Sequence, residues 1–232
     1  MDAALLDAVR SGDRRALSRA ITQIEAGEVG GDPGSETPLI GITGPPGAGK
    51  STLISELIEI MRSRGESVAV LAVDPSSPIT GGAILGDRIR MQDHIDDDGV
   101  FVRSMANRGH LGGLAKASTE VARLMASAGF DRVIVETVGV GQSEVEIMDL
   151  ADCVVLVVGP SWGDHVQADK AGIVEIADLF VVNKGDRPGV SDVKRALFEA
   201  AQSRGSEVLV TTSTTGEGVE EVLLAIDRRL RA

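Results

Sequence analysis

Cysteine, histidine and aromatic side chains are nearly missing from this chain. One Cys, one Trp, four Phe, no Tyr and three His stand among 232 residues. A single thiol excludes a disulfide framework and suits a reducing compartment. Cys153 lies in an apolar run, Cys153–Val158, where a small buried hydrophobe is a better reading than a nucleophile. So few rings leave no stacking platform for bases. His94, His110 and His165 are scattered without metal-ligand spacing and read as solvated or locally bonded. Basic charge is in deficit as well: 23 Lys and Arg face 35 Asp and Glu, a net charge of −12. That excludes nucleic acid or an anionic membrane as a broad-surface partner. No apolar run approaches the roughly 20 residues of a spanning helix, and the N-terminus lacks the basic-then-apolar layout of a signal peptide. A cytoplasmic location is the expectation.

What the chain has in quantity is glycine, 28 residues, and its most informative use is Gly44-Pro45-Pro46-Gly47-Ala48-Gly49-Lys50-Ser51-Thr52. The pattern G-x-x-x-x-G-K-[ST] follows a short apolar run, Pro38–Thr43, and precedes apolar residues at helical spacing (Leu53, Ile54, Leu57, Ile58, Met61). Strand, glycine loop and helix together give the pattern its mechanism. Glycines let successive backbone N–H groups converge on an anion, and the helix N-terminus adds partial positive charge. Lys50 then reaches the β- and γ-phosphates, and the Ser51 hydroxyl ligates Mg²⁺. A nucleoside triphosphate is the implied ligand.

Residues 2–26 read as a helical pair broken at Ser11-Gly12-Asp13, and residues 27–37 as a linker by composition. The predicted organisation is an N-terminal helical arm and linker over residues 1–37 and a nucleotide domain over 38–232. Apolar runs continue at Ser67–Val73, from Val100, and at Arg132–Thr137, Cys153–Val158, Leu179–Asn183 and Glu207–Thr211. A glycine- and proline-bearing loop, Asp74 to Gly86, follows the second run. Helices are expected at Leu111–Ala128, Ser143–Leu150, His165–Ile173, Ser191–Gln202 and Gly218–Leu230. The fold class is α/β: a three-layer P-loop NTPase with a mostly parallel sheet of about seven strands and helices on both faces. Ligands in such sheets bind beyond the C-terminal strand ends.

The remaining polar motifs stand at those ends. Asn183-Lys184-Gly185-Asp186 is an N-K-x-D sequence. A carboxylate at Asp186 accepts from guanine N1–H and N2–H₂ together, a donor pair that adenine lacks, so ATP would leave it desolvated and unpaired. Glu136-Thr137-Val138-Gly139 has the D-x-x-G shape of a γ-phosphate sensor with Glu in place of Asp. There a carboxylate can hold Mg²⁺ and the Gly139 amide can meet the γ-phosphate. Gln142 is a candidate for orienting the attacking water, with Ser143 as a helix cap the alternative for that stretch. Asp74 and Asp87, on one loop, are candidates to complete the Mg²⁺ shell, with turn initiation or capping as the alternative. Thr212, Ser213 and Thr214 are placed to offer backbone to the guanine O6, and Asp96-Asp97-Asp98 reads as a solvated turn. Arg88, Arg90 and Arg108 are arginine-finger candidates whose simpler fate is surface solvation.

Several long stretches carry a resemblance: GITGPPGAGKSTL, VDPSSPITGGAILGDRIRM, RSMANRGHLGGLA, ETVGVGQSEV and NKGD. Together they resemble the GTPases associated with methylmalonyl-CoA mutase, of the MeaB/ArgK type. The resemblance implies a G-protein chaperone that gates adenosylcobalamin loading and protects an acyl-CoA mutase, with GTP binding and hydrolysis as the signal. It also implies that Lys50 contacts phosphate, that Ser51, Asp74, Asp87 and Glu136 surround magnesium, and that Asn183, Lys184 and Asp186 take the guanine. Relatives of this type dimerise through a helical C-terminal extension, whereas this chain ends at Ala232, so a homodimer by that route is left open. Two other functions compete: a nickel metallochaperone GTPase, which would want a His- or Cys-rich segment, and a nucleotide-dependent binding module with incidental hydrolysis.

Overall fold

The computed structural model describes residues 1–28, 34, 37–75, 94, 96–107, 113–137, 145, 148–165, 171–202 and 205–232. Seven strands form one sheet: β1 (Leu39–Thr43), β2 (Val68–Pro75), β3 (Val100–Asn107), β4 (Arg132–Thr137), β5 (Cys153–Val158), β6 (Leu179–Asn183) and β7 (Glu207–Thr211). Every pairing is parallel, and the order across the sheet is β3-β2-β4-β1-β5-β6-β7. Helices α1 (Ala3–Arg10), α2 (Arg14–Glu25), α3 (Lys50–Ser63), α4 (Gly113–Ala126), α5 (Ala171–Ile176), α6 (Val190–Gln202) and α7 (Val219–Arg229) cover it.

The inner strands are mostly apolar because each faces two cores, while the edge strands β3 and β7 carry polar residues such as Arg103 and Glu207. Ile40, Ile42, Ile134, Val155, Val157 and Val181 turn toward α3 and α7. The alternate residues, Leu39, Val133, Val135, Leu156, Phe180 and Val182, turn toward α2, α4 and α6. Which helix takes which face follows from the right-handed crossover rule. The step from β1 to β2 runs toward the β3 edge and puts α3 on one face. Steps toward the β7 edge put α4 and α6 on the other.

The N-terminal helices add their own buried residues (Val9, Ala16, Leu17, Ala20, Ile21, Ile24) to the second core. Asp2 and Asp13 cap them through backbone N–H groups of Ala4, Arg15 and Ala16. Arg14 ties α2 to the sheet edge by donating to the carbonyls of Val100 and Asp98.

Three details differ from the sequence reading. β2 runs on through Asp74 and Pro75, in register with Ala106 and Asn107, so these two residues end a strand and do not open a loop. The expected helix at His165–Ile173 is a 3₁₀ segment, Pro160–His165, followed by α5 at Ala171–Ile176. Asp97 is not a solvated turn residue: its carboxylate accepts from Arg62 Nε at 2.9 Å and Nη2 at 3.0 Å and from the Gly99 amide at 2.6 Å. Sequence could not supply that partner, because Arg62 lies at the far end of α3.

Cys153 is buried as expected, and burial pushes its thiol pKa up to about 12. Among the described residues no helix is long and apolar enough to cross a membrane.

Candidate functional site

β1 ends at Thr43, and the loop Gly44–Gly49 turns directly into α3 at Lys50. Gly44 (φ 141°) and Gly49 (φ 93°) hold backbone conformations that side chains rarely adopt. A Cβ on Gly44 would overlap the Val157 carbonyl of β5, and one on Gly49 would overlap the Asn183 amide of β6. The loop is therefore pressed against two neighbouring strands, while Pro46 and Gly47 at its crest are exposed. Ala48 is buried in the α3 core, and Thr52 lies one turn into the helix, half-buried beside Leu53 and Ile54. No side chain caps α3, and such a helix end offers its first amides to an anion. The Lys50 side chain, only 4% exposed, folds back over the loop, donating from Nζ to Gly44 O at 3.0 Å and Pro45 O at 3.2 Å.

Ser51 and Glu136 meet across 85 residues of sequence: the Ser51 hydroxyl donates to Glu136 Oε1 at 3.0 Å, and both groups are buried. Strand alternation causes this. Glu136 follows Ile134 on the face of β4 that packs against α3, so its carboxylate arrives under the first turn of that helix. A hydroxyl and a carboxylate are hard oxygen donors, the chemistry that Mg²⁺ takes alongside waters and phosphate oxygens, so this pair fits the expected ion. The backbone of Asp74 ends β2 beside β3, but its side chain is outside the described residues. Asp87, Gly139, Gln142, Arg88, Arg90, Arg108 and His110 also lie outside them.

At the other end of the crevice β6 stops at Asn183, and Lys184 takes φ 62°, the one non-glycine positive φ among the described residues. Asn183 Oδ1 accepts from the Lys184 amide (2.8 Å), Thr211 Oγ1 (3.1 Å), and the Ser213 amide (3.2 Å) and hydroxyl (2.9 Å). Its Nδ2 donates to Ala48 O at 3.0 Å. Lys184 Nζ donates to Gly47 O at 2.6 Å. The structure thus joins the N-K-x-D turn to the phosphate loop and to Thr212–Thr214 in one hydrogen-bonded unit. Asp186 stands exposed on the turn that Arg187 N closes onto Lys184 O at 3.0 Å. Thr212 is buried and Thr214 exposed, on a turn closed by Thr215 N onto Thr212 O at 2.9 Å.

Thr211, Thr43 and Thr137 were not singled out from sequence. Thr211 is the register partner of Asn183, a relation that strand order alone reveals. His94 proves buried and locally bonded, with Nε2 2.9 Å from Ser55 Oγ of α3.

A G-x-x-x-x-G-K-S loop after the central strand and an N-K-x-D turn hydrogen-bonded to it, on the C-terminal edge of an all-parallel sheet, are the marks of a P-loop GTPase. The chain belongs to the methylmalonyl Co-A mutase-associated GTPase MeaB family, whose model matches residues 17–232. It is 48% identical over 236 residues to a Pyrococcus horikoshii protein described as a GTPase, covering 94% of this chain and 74% of the relative. It is 38% identical to the Escherichia coli GTPase ArgK, covering 94% of this chain and 72% of ArgK. Among solved structures, that of an LAO/AO transport system kinase superposes with a TM-score of 0.72 at 28% identity, over 99% of this chain and 76% of that one. The chain is a guanine-nucleotide-binding GTPase of this family.

Proposed function

We propose that the protein is a Mg²⁺-dependent GTP switch that chaperones an adenosylcobalamin-dependent acyl-CoA mutase in the cytoplasm. The family description, which names methylmalonyl Co-A mutase, supports the partner. The observation that carries the switch is the crevice itself: Lys50, Ser51 with Glu136, and the Asn183 unit line one continuous edge. GTP lies along it, with the γ-phosphate at Lys50 and the base at Asp186. Ser51 and Glu136, with Asp74 and Asp87, would hold the magnesium, which would supply charge neutralisation on the phosphates. Lys50 neutralises the β–γ bridge region, and the loop amides and the N-terminus of α3 orient the transferring group. Gly139 contacts the γ-phosphate and Gln142 orients water. Catalysis is mostly positioning, so intrinsic turnover is slow and is raised by the partner.

Base choice rests on Asp186. Asp186→Ala should lower the GTP-over-ATP preference by on the order of a hundredfold, because two charge-assisted hydrogen bonds are lost with the carboxylate. Equilibrium titration with labelled guanine and adenine nucleotides, with and without Mg²⁺, measures this. Equal uptake of both bases by the unaltered protein overturns the reading. Mutase protection is checked separately, by the decay of mutase turnover with the protein and GTP present or absent. A variant that binds GTP without hydrolysing it and still protects in full would mean a binding module with incidental turnover. Tight stoichiometric Ni²⁺ uptake in equilibrium dialysis would instead favour a nickel metallochaperone.

A further inference from the structure

β1 and β4 part company at the floor of the crevice. Their ladder runs from Leu39↔Val133 to Ile42↔Glu136 and stops. One step further, β4 stays paired only with β2 (Val73↔Thr137) and β1 only with β5 (Thr43↔Leu156). At that step the Thr137 hydroxyl donates to the Thr43 hydroxyl at 3.0 Å, between two residues that are 1% and 0% exposed. A side-chain bond therefore carries on the cross-strand connection where the backbone bonds end. It joins the residue before Gly44 of the phosphate loop to the residue after Glu136. On the same face of β1, Gly41 leaves room for the Met148 sulphur, which a Cβ there would overlap. Packing on that side is thus close.

We propose that Thr137 and Thr43 are positioning residues of the GTPase reaction, fixing the separation of the strand ends that carry the phosphate loop and the Glu136 carboxylate. The proposal rests on the reading of Glu136 as a working carboxylate of the site. Glu136 and Thr137 point to opposite faces, so the hydroxyl pair acts on the carboxylate through the backbone of β4. It anchors β4 against β1 on one side while Ser51 receives Glu136 on the other.

Replacing either threonine by valine removes the bond between them. Stability alone predicts that any loss of activity in Thr43→Val/Thr137→Val follows its loss of melting temperature and vanishes well below it. Positioning predicts that the double variant stays slow at temperatures where it is fully folded. We expect Thr137→Val and the double variant to lose about tenfold or more in kcat, since small misplacements of reacting groups cost that much. GTP KM and the affinity for a fluorescent GDP analogue should stay within about twofold, because the loop amides still bind phosphate. The Mg²⁺ concentration that half-saturates binding of a fluorescent non-hydrolysable GTP analogue should rise, and Thr137→Ser, which keeps the hydroxyl, should restore both rate and Mg²⁺ response. A double variant that turns over like the unaltered protein overturns the proposal. So does a slow Thr137→Ser with an unaltered melting temperature. Glu136→Gln is measured alongside. If it keeps full turnover, the reading of the site fails first; if it is impaired while the threonine variants are not, only this proposal falls.

Discussion

The two ends of the sheet hold their buried charge in opposite ways. At the basal end, beneath the N-termini of the strands, Asp227 of α7 is 6% exposed and ringed by arginines. Arg132 reaches it at 2.8 Å, Arg64 at 3.3 Å and Arg231 at 3.9 Å, and Arg132 also reaches Glu66 at 3.0 Å. Aspartates tie the strand starts together there too. Asp152 accepts from the Leu39 amide at 2.8 Å, Asp178 from the Val154 amide at 2.9 Å and Asp131 from the Ser67 amide at 2.7 Å. Charge at this end meets charge or amide, which fixes α3, α7 and the strands in place. At the crevice end the Lys50 ammonium is held by carbonyls, and Glu136 faces a hydroxyl. Among the bonds described, the basal end pairs charge with charge and with strand amides, and the crevice end sets Lys50 against loop carbonyls and Glu136 against a hydroxyl.

The sharpest way to break this contrast is Lys50→Ala. Its kcat/KM for GTP should fall on the order of a thousandfold, the loss expected of a principal charge-stabilising group. Its melting temperature should change less than that of Asp227→Ala. Asp227→Ala is the converse. Removing the buried carboxylate that half-buried Arg132 and exposed Arg64 share should cost about 1–3 kcal/mol in urea unfolding, while GDP affinity of the folded protein holds. Asn183→Ala sharpens the comparison, since this residue at the crevice end is wired like the basal ones. Several donors, including the Ser213 amide and the Thr211 hydroxyl, lose their acceptor, so both guanine affinity and stability should fall, each by about 1–3 kcal/mol. The smallest effect concerns pH. The Ser67 hydroxyl and amide hold the Asp131 carboxyl below its ordinary value of 3.8. A depressed folded-state pKa contributes stability above 3.8 and loses it as pH falls through the lower folded value. Asp131→Asn should therefore be slightly less stable near neutrality, where that contribution is present in full, and should converge on the unaltered protein as pH falls through the acid window, as acid titration of the melting temperature would show. An offset from the unaltered protein that persists undiminished into acid would mean that the charge of Asp131 contributes nothing.

Much of this was legible from residues alone, and the exceptions share a cause. The phosphate loop could be read because its requirements are local: glycine where the backbone turns against β5 and β6, and lysine at the first turn of α3. Glu136 could be read as a carboxylate at a strand end, but not its bond to Ser51. Asp97 was misjudged because a run of three acids looks solvated until Arg62 is seen beside it.

By itself the sequence determined the seven strands, most of the described helices and which polar residues stand at the strand ends, because apolar periodicity and turn residues act within a few positions of the chain. The tertiary structure decided which ends meet. Thr43 finds Thr137 across 94 residues, Asn183 finds Ala48 across 135 and Asp227 finds Arg64 across 163. Those encounters depend on strand order and crossover hand, which are set by packing two cores on one sheet and are written in no local stretch.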